Sequence, residues 1–331
     1  MSWLNTIAGI CSALVVLQLG TPATFAAEPL AKDLFGAQKT GAPGPAAAHG
    51  FYSKGCFSGG VAIATDGPTW QVMRLSRNRM WGHPLMVDLL EDLAGKAVAV
   101  GWPGLLLGDI SQPRGGPMLT GHASHQIGLD ADIWLTKMPD RRLSATEREN
   151  MAAISVLKDK GAGLTVDDKI WTPAHGNLIK AAAQYPQIER VLVHPGIKKK
   201  LCETVVGDRS WLSKVRPYWG HHYHFHIRLA CPEGSPGCKG QEKTQAGDGC
   251  GKDLAWWFTD EPWKKAPATT KPKPPARDVM TMASLPDACQ AVLESGNTKA
   301  AAPAQKTAAK SSVDTASQSG APAIPQARPE N

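Results

Sequence analysis

Apolar and polar positions follow two different periods along this chain, and the changes between them mark its elements. After His83-Pro84, Leu85, Leu89, Leu90 and Leu93 recur at helical spacing and predict a helix that stops near Gly95. Residues 72–75 predict a short strand. The apolar runs at 98–100 and 105–107 predict buried strands, and 112–116 a loop. At Leu129 the period becomes two. Leu129, Ala131, Ile133 and Leu135 share one face of a strand, with Asp130, Asp132 and Trp134 on the other. A second alternation sets Tyr223, Phe225, Ile227 and Leu229 against His224, His226 and Arg228. Between them, Ser144-Ala-Thr-Glu147 reads as a capping box opening a helix to about residue 157. Thr172-Pro173 opens another, to about residue 184. A strand is expected over 190–193 and a helix over 197–205.

The ends of the chain have a different texture. Residues 1–27 carry no charged side chain and include an apolar run from Ile7 to Leu19, followed by small residues. This reads as a secretory signal peptide cut between Ala23 and Ala27, with an uncleaved anchor as the alternative. The run is short for a membrane span. Residues 28–50, rich in Ala, Gly and Pro, are expected to be a flexible lead-in. The main folded domain is expected over 51–262. Residues 263–331 read as a Pro/Ala/Lys-rich tail, with a short helical segment at 287–293 that carries Cys289 and a disordered stretch after Gly296. The patch Leu254-Ala-Trp-Trp-Phe258 is expected to dock on the body.

Composition sharpens the compartment. Of seven cysteines, six follow the leader: Cys56, Cys202, Cys231, Cys238, Cys250 and Cys289. An even set behind a signal implies three disulfides in an oxidising compartment, and pairing among six cysteines has 15 solutions. No Cys-x-x-Cys pair argues for a cysteine metal cluster. The net charge is +7 over 331 residues, but nine basic and five acidic side chains lie from Lys264 onward, so the body is only mildly basic. That is not the footprint of a nucleic-acid surface.

The chemistry is concentrated in the two alternating stretches. Thr120-Gly-His-Ala-Ser-His-Gln-Ile-Gly-Leu-Asp-Ala-Asp-Ile-Trp134 and Gly220-His-His-Tyr-His-Phe-His-Ile-Arg-Leu229 hold six of the ten histidines. Imidazole and carboxylate are the donors of catalytic zinc, which needs three protein ligands and an open position for water. His125-x6-Asp132 followed by His224-x-His226 supplies such a set. His-x-His on a strand places both rings on one side, about 7 Å apart. His222 is in phase with them, and His221 is out of phase unless the strand begins with a bend. Asp130 shares the face of Asp132 and reads more simply as a solvated strand carboxylate than as a supporting group. His49, His83, His175 and His194 stand alone and read as structural or exposed. Trp81, Trp102, Trp134 and Trp219 could line a substrate groove, although packing accounts for each singly. There is no Gly-x-Ser-x-Gly and no His-Glu-x-x-His, which argues against a serine hydrolase and a thermolysin-like centre.

With these residues in view, the chain resembles the penicillin-insensitive murein endopeptidases, within the zinc peptidases that include lysostaphin-type enzymes, D-Ala-D-Ala dipeptidases and the hedgehog domain. The group's His-x6-Asp and His-x-His pattern is matched by His125, Asp132, His224 and His226. Gly82-His-Pro84, Gly121-His-Ala-Ser-His-Gln126, Val215-Arg-Pro217, His226-Ile-Arg-Leu229, Gly247-Asp-Gly-Cys-Gly251 and the six cysteines extend the likeness over roughly 50–289. The resemblance implies Zn2+ held by His125, Asp132 and His226, with His122 as an auxiliary contact. It makes His224 the general base or a transition-state donor, and His221 a second active-site histidine. It pairs Cys56 with Cys289, Cys202 with Cys250, and Cys231 with Cys238. It further implies a periplasmic enzyme that cuts D-alanyl–meso-diaminopimelyl cross-links of peptidoglycan, with some activity on direct diaminopimelyl cross-links and no sensitivity to penicillin. The family can carry further metal-contacting Asp and His residues between the motifs, and no counterpart is found before Trp171. The expected fold is α+β: a mainly antiparallel sheet with the zinc site on one face, helices packed on the other, and disulfide staples. A zinc D,D-carboxypeptidase and a non-catalytic wall-binding module are the alternatives.

Overall fold

The two alternating stretches pair with each other, and the rest of the sheet is built around that pair. The structure, a computed structural model, describes residues 27–244, 246–264 and 274–296. In chain order these form α1 (Ala31–Gly36), β1 (Ala47–Phe51), β2 (Lys54–Ser58), β3 (Val61–Ala62), β4 (Trp70–Val72), β5 (Trp81–Gly82) and α2 (Pro84–Ala99). Then come β6 (Leu105–Leu107), β7 (Asp130–Trp134), α3 (Ala145–Asn150), α4 (Pro173–Ala183), β8 (Ile188–Val193) and α5 (Pro195–Thr204). The last are β9 (Val215–Pro217), β10 (His224–Leu229), α6 (Lys252–Trp256) and α7 (Ala288–Glu294). The signal-peptide reading of 1–27 falls almost wholly outside the described residues, as does the disorder expected after Gly296.

The main sheet has six strands in the order β4-β6-β7-β10-β8-β9. Its central pairings, β6 with β7, β7 with β10 and β10 with β8, are antiparallel, while the outer pairs β4/β6 and β8/β9 are parallel. The protein is therefore α+β with a mainly antiparallel sheet. Every residue of β7 and of β10 is buried. Phe225, Ile227 and Leu229 join one apolar core with Leu89, Leu90 and Leu93 of α2 and Leu178, Ile179 and Ala182 of α4. The apolar row of each alternation thus joins the main core, and the polar row is buried by other means.

Several local expectations are corrected by packing. The strand expected at 98–100 is the last turn of α2, which passes through exposed Gly95 because Ala94 and Ala97 carry the buried stripe onward. The strand expected at 72–75 ends at Val72, and Arg74 turns the chain with φ +57°. The capping box forms in both directions at Ser144 and Glu147, but the helix stops at Asn150 rather than 157. There Arg74 takes up the carbonyls of Arg148 and Met151 at 2.9 and 2.8 Å. The chain then runs back along β7 and the second motif, Ile154 N–H donating to Thr136 Oγ1 at 2.7 Å and Val156 N–H to the His222 carbonyl at 2.9 Å.

The lead-in is more ordered than expected, while the tail's Cys289-bearing helical segment is present as α7 and tethered by its disulfide. Residues 28–50 contain α1 and β1, and residues 274–296 dock on them. Ala31, Phe35, Ala42, Met280, Leu285, Val292 and Leu293 form a second small core around the Cys56–Cys289 disulfide. Ala31 N–H donates to the Met280 carbonyl at 2.8 Å, and Lys32 pairs with Asp278 at 2.8 Å. Composition alone reads residues 28–50 as loose, but a covalent clasp and mutual apolar burial order them. Cys202–Cys250 and Cys231–Cys238 complete the pairing that the resemblance implies.

Candidate active site

Strand register decides the site. His226 lies directly opposite Asp132 and Arg228 opposite Asp130 in the β7/β10 ladder. Residues two apart on a strand share a face, so one side of this pair presents Asp130, Asp132, His224, His226 and Arg228 together.

Asp132 is the centre of a ring of imidazoles. Its Oδ1 lies 3.2 Å from His226 Nδ1, 3.4 Å from His125 Nε2 and 3.6 Å from His224 Nε2, and its Oδ2 lies 3.6 Å from His122 Nε2. Donor atoms of His122, His125 and Asp132 all fall within 4.8 Å of one another. Two donors each about 2.0–2.1 Å from one tetrahedral ion stand about 3.3 Å apart. The approaches to Asp132 have that spacing and lack hydrogen-bond geometry: Asp132 Oδ1 and His125 Nε2 are buried without a hydrogen-bond partner. Buried polar atoms left unmatched are rare and costly. The cluster is therefore the right chemistry and spacing for a metal ion. The Asp132 carboxyl, despite its burial, is held far below the usual range by the imidazoles of His224, His125 and His122.

The ring orientations are set from behind. His125 Nδ1 donates to the Ile110 carbonyl at 2.6 Å, which leaves Nε2 as the lone-pair nitrogen toward Asp132. His226 Nε2 donates to Asp130 Oδ1 at 3.0 Å, leaving Nδ1 toward Asp132. Such outer partners fix the tautomer of a ligating histidine. Asp130 is thus not a solvated strand carboxylate. It is completely buried, bound by Arg228 Nε and Nη2 at 2.7 and 3.1 Å, and accepts the His125 backbone N–H at 2.9 Å. His125 has φ +68°, a left-handed conformation held by that contact and by Ser111 Oγ, which donates to the His125 carbonyl at 2.5 Å.

The bend on which His221 depended is present. His221 has φ +53°, and its ring lies 4.8 Å from that of His224 and 5.8 Å from that of His226. Its Nδ1 donates to the Trp219 carbonyl at 2.7 Å, leaving Nε2 as acceptor. His222, although in phase, turns away to Ser155 Oγ at 2.9 Å. Burial presses His221 down to about 3 and His224 to about 4, the neighbouring imidazoles adding to the effect, so both rings are neutral at pH 7. The solitary histidines are structural: His83, His175 and His194 accept the N–H groups of Leu85, Thr172 and Gly196 at helix starts.

Asp109 was not found from the sequence. It is 4% exposed and holds His122 Nε2 at 3.0 Å, Arg79 at 2.9 Å and Arg77 at 3.1 Å. Its only signal is its place two residues beyond the apolar run at 105–107, which says nothing of what it meets. A cleft of about 290 Å³ opens over the cluster, lined by Arg77, Asp109, His122, Trp134, Tyr223 and His224 among others. A hollow of about 510 Å³ between α4 and α5 contains none of these histidines. Trp81 and Trp102 are packing residues, Trp134 lines the cleft, and Trp219 is 44% exposed.

A buried carboxylate ringed by oriented imidazoles, with two further neutral histidines at an open cleft, defines a candidate metallohydrolase centre. Residues 48–294 match the family described as penicillin-insensitive murein endopeptidase. Proteins of that name from Haemophilus influenzae and Escherichia coli O157:H7 are 44% and 40% identical, over 77% and 76% of this chain and 85% and 88% of their own lengths. One from Klebsiella pneumoniae is 37% identical over 76% of this chain and 87% of its own. The chain belongs to the penicillin-insensitive murein endopeptidase family, and it is a metallopeptidase of peptidoglycan.

Proposed function

We propose that this protein is a zinc endopeptidase of the periplasm, delivered there by a signal peptide at 1–27, that hydrolyses D-alanyl–meso-diaminopimelyl cross-links. Direct diaminopimelyl cross-links are its second substrate. The observation that carries the reading is Asp132 with histidine nitrogens at inter-ligand spacing and no hydrogen bond to its Oδ1. His125, Asp132 and His226 hold the ion, and His122 is an auxiliary contact tied to Asp109. Three disulfides suit an oxidising compartment.

Zinc in this position supplies Lewis acidity to the scissile carbonyl and an acidified water. The chain's own residues do the rest. His224 enters neutral, accepts the proton of the attacking water and returns it to the leaving amine. His221, its tautomer fixed by the Trp219 carbonyl with Nε2 left as an acceptor, packs beside His224 and positions that ring. Asp130 keeps His226 and the His125 backbone in place. Arg77 at the cleft edge gives it a positive rim toward the substrate's carboxylates.

The test uses purified zinc-loaded protein on a cross-linked muropeptide dimer, read by mass. Chelator-sensitive conversion of dimer to monomer is expected. Loss of a single terminal D-Ala from an intact dimer would instead mark a carboxypeptidase. His224→Ala should retain zinc and lose about 10²–10⁴-fold in turnover. His226→Ala should lose zinc, and a full complement of zinc in that variant would sink the ligand assignment.

A further inference from the structure

Exposed aromatic rings in this protein gather at one place. Tyr218, Trp219, Tyr223, Trp256 and Trp263 are each between 38% and 46% exposed. Tyr223 lines the cleft, its ring 4.6 Å from that of His224. Tyr218 begins the path outward, with its ring 5.5 Å from that of His221 and 5.5 Å from that of Trp219. Beyond it, buried Trp257 acts as a hub, 4.5 Å from Trp219, 5.2 Å from Trp256 and 6.2 Å from Trp263. The indoles are held, not loose: Trp219 Nε1 donates to the Pro262 carbonyl at 3.0 Å and Trp263 Nε1 to the Trp257 carbonyl at 2.9 Å. The polar handles of Trp219 and Trp263 are spent inside the protein, so what these two indoles have left to offer is ring surface. A contiguous exposed apolar patch of this kind on a folded chain marks a binding surface.

The position of the patch selects its occupant. Peptidoglycan consists of sugar strands joined by peptides, so a cross-link seated in the cleft is covalently attached to a strand that must leave past its rim. The aromatic path starts at the rim, beside His221. Pyranose rings present apolar C–H faces that stack on indole, and their hydroxyl and acetamido groups need polar partners near by. Exposed Thr259, Asp260 and Glu261 supply these in the turn between Trp256 and Trp263.

We propose that Trp219, Trp256 and Trp263, set on Trp257, form a platform on which a glycan strand of peptidoglycan stacks while its cross-link peptide occupies the cleft. This rests on the peptidoglycan-hydrolase reading of the cleft, but its binding step is separable from the chemistry. The experiment titrates full-length zinc-loaded protein, by calorimetry, with glycan strands stripped of their peptides. Trp256→Ala combined with Trp263→Ala should weaken binding by about tenfold or more, and the corresponding Phe substitutions should restore most of it. In turnover, the Ala pair should raise KM on intact sacculi while leaving kcat/KM on a sugar-free cross-linked peptide dimer unchanged. Wild-type protein that cleaves the sugar-free dimer but does not bind stripped strands overturns the platform and leaves the cleft reading intact. Strand binding without any cleavage does the reverse. Equal loss on both substrates, or tighter binding to phosphatidylglycerol vesicles than to strands, also overturns the platform.

Discussion

Replacing Asp130 by asparagine tests the account of the site without touching an assigned ligand. The carboxylate accepts four donors: Oδ1 takes His226 Nε2 at 3.0 Å and Arg228 Nε at 2.7 Å, and Oδ2 takes Arg228 Nη2 at 3.1 Å and the His125 N–H at 2.9 Å. An amide has one oxygen and one NH2. Whichever way it is placed, two of the four donors face another donor. Arg228, 6% exposed, also loses its counter-charge. Stranding one member of a buried pair costs about 3–5 kcal/mol, against a typical total stability of about 5–15 kcal/mol. The variant should therefore fold but melt at clearly lower denaturant. Freed from Asp130, His226 should bind metal about 10–100-fold more weakly. Denaturant unfolding with the disulfides intact gives the first quantity, and competition with a chromogenic zinc chelator gives the second. Because Asp130 touches both β10 and the His125 loop, both readouts should move together. An Asp130→Asn protein within about 0.5 kcal/mol of wild type, holding zinc as tightly, would refute the claim that this carboxylate organises the ligands.

Other consequences are equally direct. His221→Ala should lower kcat by about 10² by loosening the position of His224, whereas His222→Ala should leave turnover near wild type, since only His221 is bent into the site; steady-state kinetics on the muropeptide dimer separates them. His175, buried at the start of α4, is depressed by desolvation from 6.5 to about 4. The unfolded chain takes up this proton first, so stability should fall as pH drops from 7 toward 4 and the effect should level off below the folded value. His175→Asn should remove about 2 kcal/mol of the difference between unfolding free energies at pH 7 and pH 5. Cys289→Ser should destabilise the protein by about 2–5 kcal/mol. Amide exchange should show residues 28–42 and 274–296 opening first, because the broken clasp joins those two segments.

Some of the site was readable because it depends on neighbours in the chain. The period-two pattern from 129 to 135 and from 223 to 229 sorts Asp132, His224 and His226 onto polar faces, and the structure keeps that sorting. The capping box at Ser144 and the Thr172-Pro173 helix start are likewise short-range features, and both are present. The extent of α3 was not readable, because its end is set by Arg74, a residue far away in the chain. Asp109 was hidden for the same reason: nothing near it announces that Arg79 and His122 converge there. Residues 28–50 misled because composition reports the average cost of ordering a segment, not the disulfide and small core that offset it, whereas the helical segment around Cys289 was readable.

By itself the sequence determined the donor types, the faces they occupy on two strands, the resemblance to a cell-wall peptidase family and the even cysteine set. Only the tertiary structure decided which donors meet: the register that puts His226 opposite Asp132, the left-handed turns that bring in His125 and His221 and leave His222 out, and the buried carboxylates behind the rings. The physical reason is range. Periodicity and side-chain chemistry are properties of adjacent residues, whereas a metal centre is a distance condition among residues brought together by strand pairing and packing.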